Sequence, residues 1–425
     1  MVIYMKSVIR IGYIGCGSRG RNILSECIGQ MRDVEIPIIC DLSERNLDNT
    51  VQILIKHGKA TPRTTKNWRE VIEDDTLDAV MFMNGWENRA FMAAAAMRAG
   101  KYTAIEVGCA YDLRECWDLV DAYEETGVPL MMLENCCYGR REMMALNMVK
   151  QGLFGEIIHC DGGYMHNCRF VFAPKETDPD VPNFRLESME GRNFHFYPTH
   201  DFGPISKVLS VNRGNRMMTL SSFASKARGL KTYIDVKFSD DDRYAGKEIR
   251  CGDIIDTIIT CAGGETVHLR LDTTLPRPYY SRGFTVRGTH GMCTEDRRIV
   301  YLDGMEETMT ENEPEFFETY DHPLHREYAA LGERGSHGGM DWLVCRAFIE
   351  AVKRGENTPI DAYDTAAWMA IGPLSEMSIA HSGAPVDVPD FTRGKWLRRE
   401  PVTAGKYCLD AVCEDPDTRI FDDLD

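Results

Sequence analysis

No stretch of this chain approaches the ~18 uninterrupted apolar residues that a membrane-spanning helix needs. The first twelve residues, Met1 to Gly12, carry Lys6 and Arg10 but neither a long apolar core nor a small-residue cleavage site. A cytoplasmic protein is therefore the expectation. Positive charge is scarce: 49 Lys and Arg stand against 66 Asp and Glu, a formal charge of −17, which argues against nucleic acid and anionic membranes as partners. No Cys-x-x-Cys pair exists among the 15 cysteines, and only Cys136 and Cys137 are adjacent. Many of the others, such as Cys40, Cys160, Cys261 and Cys345, sit in apolar segments, as reduced buried thiols do. No run of His, Cys and carboxylates shows metal-ligand spacing, so no metal is expected. Internal repeats are also lacking.

What is present suits two domains, because 425 residues exceed one core and 43% apolar residues can fill more than one. The first reads as 1–138. Ser7 to Tyr13 forms a buried strand, Gly15-Cys16-Gly17-Ser18-Arg19-Gly20 follows at once, and Arg21 to Ile28 continues as a helix. In that order glycines let the backbone approach a pyrophosphate at a helix start. Asp41, at the end of the strand Val34 to Cys40, stands where a carboxylate grips the adenosine ribose of NAD; Arg45 keeps NADP open. Strands at 77–83, 102–107 and 129–133 alternate with helices at 88–99 and 113–126. This is an α/β pattern, a doubly wound parallel Rossmann sheet whose ligands lie past the strand ends. Those ends carry Gly15, Asp41, Asn84 to Trp86, Glu106 and the pair Glu134-Asn135.

The second domain, 139–425, begins with a helix over 140–151 and a strand over 155–164. A proline-rich connection, 174–182, leads onward. Strands at 219–224, 257–261, 266–272 and 284–288 predict an α+β domain with a large, mainly antiparallel open sheet. Helices follow at 341–352 and 363–381. The charged stretch 303–318 reads as a surface excursion and the tail 414–425 as loosely ordered.

Between these elements lies Tyr197-Pro198-Thr199-His200-Asp201-Phe202-Gly203-Pro204. If Pro198 opens a helix, Tyr197 and His200 are three apart and share one side. A phenol and an imidazole held there could transfer protons; an ordinary buried Tyr–His contact would look the same.

The glycine-loop domain followed by an open sheet resembles the glucose–fructose oxidoreductase / inositol dehydrogenase (Gfo/Idh/MocA) superfamily. Within it the chain resembles glycoside hydrolase family 109, the NAD-dependent α-N-acetylgalactosaminidases. The residues carrying that resemblance are Gly17-Ser18-Arg19-Gly20, Trp86-Glu87, Glu106-Val107, Glu134-Asn135, Gly163-Tyr164-Met165-His166 and Tyr197-Pro198-Thr199-His200. Further ones are Asn212-Arg213-Gly214, the run from Thr273 to Ser281, and His337-Gly338-Gly339-Met340-Asp341. Dehydrogenases of the superfamily usually carry Glu-Lys-Pro where this chain has Glu106-Val107-Gly108, and the missing lysine favours a hydrolase. The chain departs from the family pattern at Arg89, where histidine is common, at Asp201-Phe202, where Gly-Leu is common, and in one extra tyrosine, so that Tyr279 and Tyr280 compete for one role.

The resemblance implies transient oxidation at sugar carbon 3 by tightly held NAD, loss of the acidified carbon-2 proton, departure of the aglycone, water addition and re-reduction. It is an exception to the usual two-carboxylate mechanism. It further implies His200 as base at the carbon-3 hydroxyl, Tyr164 at carbon 2, and Tyr197 with Tyr279 or Tyr280 orienting the ring. Arg185 is a candidate for the carbon-2 substituent or a distal hydroxyl. Cofactor contacts fall on Gly15, Gly17, Ser18, Arg19, Gly20, Asp41, Trp86, Arg89, Glu106, Val107, Glu134 and Asn135. The expected substrate is a small carbohydrate or glycoside, and the chain is expected to be a homo-oligomer. The competing readings are a plain NAD(P)-dependent sugar or inositol dehydrogenase and a catalytically silent sugar-binding protein on the same fold.

Overall fold

The computed structural model describes residues 6–175, 181–329, 334–402 and 405–412. The first sheet alternates with helices as the apolar runs require: β1 (Ile9–Ile14), α1 (Ser18–Glu26), β2 (Val34–Cys40), α2 (Glu44–Lys56), β3 (Arg63–Thr65), α3 (Arg69–Ile72), β4 (Ala79–Phe82), α4 (Arg89–Arg98), β5 (Tyr102–Ile105), α5 (Leu113–Thr126) and β6 (Leu130–Met132). Every residue of β4 and β6 is buried, as in a parallel sheet covered on both faces. Side chains cap two of these helices: Ser43 accepts from Asn46 N at the start of α2, and Asp112 from Glu115 N at the start of α5. All pairings are parallel, in the order β3-β2-β1-β4-β5-β6. Strand order reverses between β1 and β4, which opens a crevice at their carboxyl ends.

The chain continues through α6 (Arg140–Lys150), β7 (Ile157–Met165), α7 (Arg169–Phe172), α8 (Phe184–Gly191), α9 (Thr199–Val208), β8 (Met217–Ala224), α10 (Gly229–Lys237), β9 (Ile254–Cys261), β10 (Thr266–Asp272), β11 (Thr285–Gly288), β12 (Gly291–Thr294) and β13 (Ile299–Leu302). After these come α11 (Glu313–Tyr320), α12 (Pro323–Ala329), α13 (Met340–Arg354), α14 (Ala362–Ala380) and β14 (Val386–Asp387). The second sheet runs β13-β12-β11-β7-β10-β9-β8-β14. Only β7 and β10 pair in parallel; the other pairs are antiparallel, as expected of a mixed open sheet. Helix α9 lies against β7 at Gly162. A Cβ there would stand 2.9 Å from Ile205 Cδ1, so the missing side chain sets how closely helix and strand approach.

The chain then returns to the first sheet. Arg346 on α13 reaches Asp33 at 2.8 Å, and Tyr363 on α14 donates to Glu124 at 2.8 Å. A fully buried ion cluster fastens this return to α9, with Lys207 and Arg213 sharing Asp364 and Asp410.

The stretch 303–318 differs from its expectation. Residues 303–312 do run outside, but α11 turns inward. Glu313 is 2% exposed and ion-paired to Arg141, and Phe316 beside it is buried. A charged sequence hides this docking because the burial is secured by a partner 172 residues away. The first glycine-loop helix begins at Ser18 rather than Arg21, and Ile28 belongs to a separate short turn. Residues 176–180 of the proline-rich connection and the tail 414–425 lie outside the described residues. Cys40, Cys136, Cys137, Cys160, Cys261 and Cys345 are buried with free thiols. Among the described residues no helix is long and apolar enough to cross a membrane.

Candidate active site

At the first crevice β1 delivers Gly15 with φ +97°. A Cβ there would lie 2.3 Å from Asn84 N, so only glycine fits this turn. Gly17 precedes α1 with open space around it and no side-chain cap, which leaves the first-turn amides of Ser18, Arg19 and Gly20 to an anion. Asp41 ties the second strand to this loop: Oδ2 accepts Cys16 N at 2.6 Å, and Oδ1 accepts Ser43 N at 2.9 Å. Glu106 accepts Arg19 Nε at 2.7 Å and Val107 N at 2.8 Å. Arg89 is buried and turned to the Val107 carbonyl at 3.0 Å, a brace behind Trp86. Trp86 packs edge-on against Tyr197, with centroids 5.4 Å apart. These features fit a dinucleotide: an open helix start, a glycine cradle, and a carboxylate at the end of β2.

Helix α9 supplies the second half. Pro198, at φ −73°, precedes Thr199, so the helix opens where the sequence indicates. The Tyr197 and His200 rings stack, 14° from parallel with centroids 6.0 Å apart. Tyr164, at the end of β7, comes within 4.9 Å of His200, 5.2 Å of Tyr197 and 6.0 Å of Tyr280, centroid to centroid. The neighbouring tyrosines differ in place: Tyr280, 42% exposed, faces this cluster and accepts from Arg282 Nη1 at 3.2 Å, whereas Tyr279 is 60% exposed beneath Arg277. Arg185 Nε donates to the Tyr197 hydroxyl at 2.5 Å. Burial raises the Tyr197 pKa, and Arg185 opposes that rise. Burial also holds the Tyr164 hydroxyl well above the ordinary tyrosine range.

His200 has a partner that its own segment does not reveal. Glu134, fully buried, meets its Nδ1 at 2.8 Å and also accepts Cys136 N at 3.0 Å. Burial would raise the Glu134 pKa, but the imidazole beside it brings the carboxyl below its ordinary value. Cys136 Sγ is 3.4 Å from the same nitrogen. The fold therefore gathers a donor set that sequence spacing hides: ligand atoms of Glu134, Cys136 and His200 lie within 4.8 Å of one another. Burial keeps the Cys136 thiol well above its usual pKa, and the carboxylate already holds Nδ1, so this set orients the imidazole. Asn135 turns its amide to Asp341 at 2.8 Å.

Sequence reasoning also missed Arg282, Asp341 and His166, whose ring lies 5.4 Å from Tyr280. Arg282 is held by Glu142 at 3.0 Å and positions Tyr280. The His-Gly-Gly-Met-Asp run was a signal for Asp341, but its target lies hundreds of residues away.

Behind α9, Asp201 and His195 are buried 3.4 Å apart. Burial pushes the Asp201 carboxyl well above its usual range and His195 down to about 3, so burial favours the neutral form of each. The Asp201 pKa is raised on folding, so its contribution to stability is full below about pH 4 and is lost as pH rises. Asp201→Asn should therefore stabilise the protein at pH 8 by about 1–2 kcal/mol, a gain that shrinks toward pH 5. Denaturant curves of both proteins at the two pH values measure it. His195, whose pKa is depressed on folding, costs stability only below about pH 6.5, so the comparison at pH 8 is free of it.

Fold and site together define a Rossmann-type parallel sheet with an aromatic cluster, Tyr164, Tyr197, His200 and Tyr280, packed beside its strand ends. Among solved structures, a levoglucosan dehydrogenase in complex with NADH and levoglucosan matches 90% of this chain and 99% of its own, with a TM-score of 0.65 at 17% identity. A myo-inositol 2-dehydrogenase from Lactobacillus plantarum matches 90% and 100%, with a TM-score of 0.63 at 15% identity. These share the fold. A family model described as glycosyl hydrolase 109, C-terminal domain, matches residues 138–398. An alpha-N-acetylgalactosaminidase of Tannerella forsythia is 38% identical over 418 residues, 93% of this chain and 89% of that one. A glycosyl hydrolase family 109 protein of Stenotrophomonas maltophilia is 38% identical over 424 residues, 94% and 93% respectively. The chain belongs to glycoside hydrolase family 109.

Proposed function

We propose that this chain is an NAD-dependent glycosidase that cleaves N-acetylgalactosaminides or related glycosides without net oxidation. The carrying observation is the convergence of Tyr164, Tyr197, Tyr280 and the Glu134-held His200 on one cleft beside the glycine-loop crevice. When bound there, the nicotinamide supplies a reversible hydride acceptor for carbon 3 of the sugar. Glu134 commits His200 Nδ1, which leaves Nε2 to take the carbon-3 hydroxyl proton. Tyr164 removes the proton at carbon 2 that the neighbouring ketone has acidified, and the aglycone departs from carbon 1. Arg185 and Arg282 hold the Tyr197 and Tyr280 hydroxyls in place, so both rings present fixed edges to the sugar.

Aryl glycosides of both anomers test this reading. Aglycone release without a sustained rise at 340 nm supports it; a stoichiometric, continuing rise with added NAD would establish the dehydrogenase instead. The purified protein should also carry NAD rather than NADP, because the Asp41 carboxylate at the loop repels a 2′-phosphate. Mass analysis of the denatured supernatant reads this directly. Asp41→Ala should lower NAD retention by about tenfold, the scale of one charge-assisted hydrogen bond, while the melting profile stays cooperative.

A further inference from the structure

Asp341 binds two cofactor-side candidates, Arg19 and Asn135, directly and a third, Glu106, through Arg19. Arg19 Nη1 and Nη2 meet its two oxygens at 2.7 and 2.8 Å, and Asn135 Nδ2 meets Oδ1 at 2.8 Å. Arg19 in turn holds Glu106. These three residues follow β1, β5 and β6, along the edge where a dinucleotide lies. Asp341 belongs to a different part of the chain, the first turn of α13, and its side chain is fully buried.

The segment that delivers it is shaped for that task. His337, Gly338 and Gly339 are consecutive residues in the left-handed region, at φ +56°, +64° and +88°. Such a run is strained for histidine and persists only where the surroundings hold it. His337 Nδ1 and Ser336 Oγ both bond Asp341 Oδ2, at 2.8 and 2.6 Å, and Ser336 Oγ also reaches Asn22 on α1 at 3.2 Å. The Tyr328 hydroxyl donates to the Arg334 carbonyl at 2.5 Å and pins the start of the strap. The strap thus rides on the helix that follows the glycine loop and closes on that loop's arginine.

We propose that Asp341, presented by the strap from Ser336 to Gly339, is a positioning residue that locks the dinucleotide into the crevice by fixing Arg19 and Asn135. This rests on the NAD-dependent reading and deepens it. An enzyme that oxidises and re-reduces one substrate molecule within a turnover must keep the same cofactor throughout. A dehydrogenase whose turnover draws on the free NAD pool must instead release it each cycle. A buried carboxylate with five donors on two oxygens makes the crevice wall stiff and slow to open.

The test is exchange of bound cofactor against isotopically labelled NAD, followed by rapid filtration and mass analysis. Asp341→Asn keeps the shape but loses the charge that holds Arg19. The variant should exchange at least about tenfold faster than wild type, the effect of losing one charge-assisted hydrogen bond. His337→Gly relaxes the strained position, removes one donor, and should also exchange faster. It serves equally if Asp341→Asn does not fold by circular dichroism. A merely structural staple would lower the melting temperature and leave exchange from the folded protein unchanged. Wild-type exchange rates in a folded variant would overturn the lock alone. Wild-type protein whose denatured supernatant holds no NAD, and which takes up none when NAD is supplied, would overturn both the lock and the NAD-dependent reading.

Discussion

His200→Ala is expected to lower kcat/KM for glycoside cleavage by roughly 10²–10⁴-fold, the range that general-base catalysis contributes. The imidazole faces Tyr164 and Tyr197 while its Nδ1 is anchored on Glu134. Substrate affinity should change far less, because the aromatic walls remain. Glu134→Gln separates base from anchor. An amide can still accept from Nδ1, but it supplies no negative charge to the imidazolium that forms, so the loss should fall between wild type and His200→Ala. Wild-type rates in His200→Ala would remove the base from the scheme, and a Glu134→Gln loss larger than that of His200→Ala would assign the carboxylate a direct role. Steady-state kinetics on one aryl glycoside, with folding checked by circular dichroism, measures both.

The first sheet was legible because its evidence is local. Buried parallel strands are short apolar runs, and the segments alternating with them read as helices, though α2, the edge strand β3 and α3 went unread. β7 to β11 of the second sheet were legible for the same reason, with ends displaced by up to three residues, whereas the short strands β12, β13 and β14 went unread. Tyr197 and His200 were legible because a proline-opened helix fixes residues three apart on one side. What could not be read depends on long-range pairing. His200 and Glu134 are 66 residues apart, and Arg19 and Asp341 are 322 apart. From the strand ends, Glu134 and Asn135 both read as cofactor contacts. In the fold Glu134 Oε1 accepts from His200 Nδ1, and the Asn135 amide turns to Asp341. The choice between Tyr279 and Tyr280 likewise hung on Arg282, which is set by Glu142 on α6 rather than by anything beside the tyrosines. Short helices such as Arg169–Phe172 leave almost no periodic signal and went unread.

The second large effect concerns the hydrogen on carbon 2 of the sugar. Elimination across carbons 1 and 2 breaks that C–H bond, whereas direct displacement at carbon 1 leaves it intact. Hydrolysis in deuterated water should therefore yield sugar carrying deuterium at carbon 2, read by proton NMR or mass spectrometry, because a tyrosine hydroxyl exchanges with solvent. Tyr164 is placed for this step by its position at the end of β7 and its 4.9 Å approach to His200. Burial holds its hydroxyl well above the ordinary tyrosine range, so its basic form depends on positive charge brought next to it. Arg185 already bonds the adjacent Tyr197 hydroxyl, and a bound oxidised nicotinamide would add a second positive charge. Tyr164→Phe keeps the ring packing and removes only the hydroxyl. It should slow aglycone release by about 10²–10⁴-fold and abolish deuterium incorporation, while oxidation at carbon 3 still proceeds. Because a shielded site can return the abstracted proton, the variant weighs more than exchange alone. Full retention of hydrogen at carbon 2, with wild-type rates in both Tyr164→Phe and His200→Ala, would replace elimination with displacement.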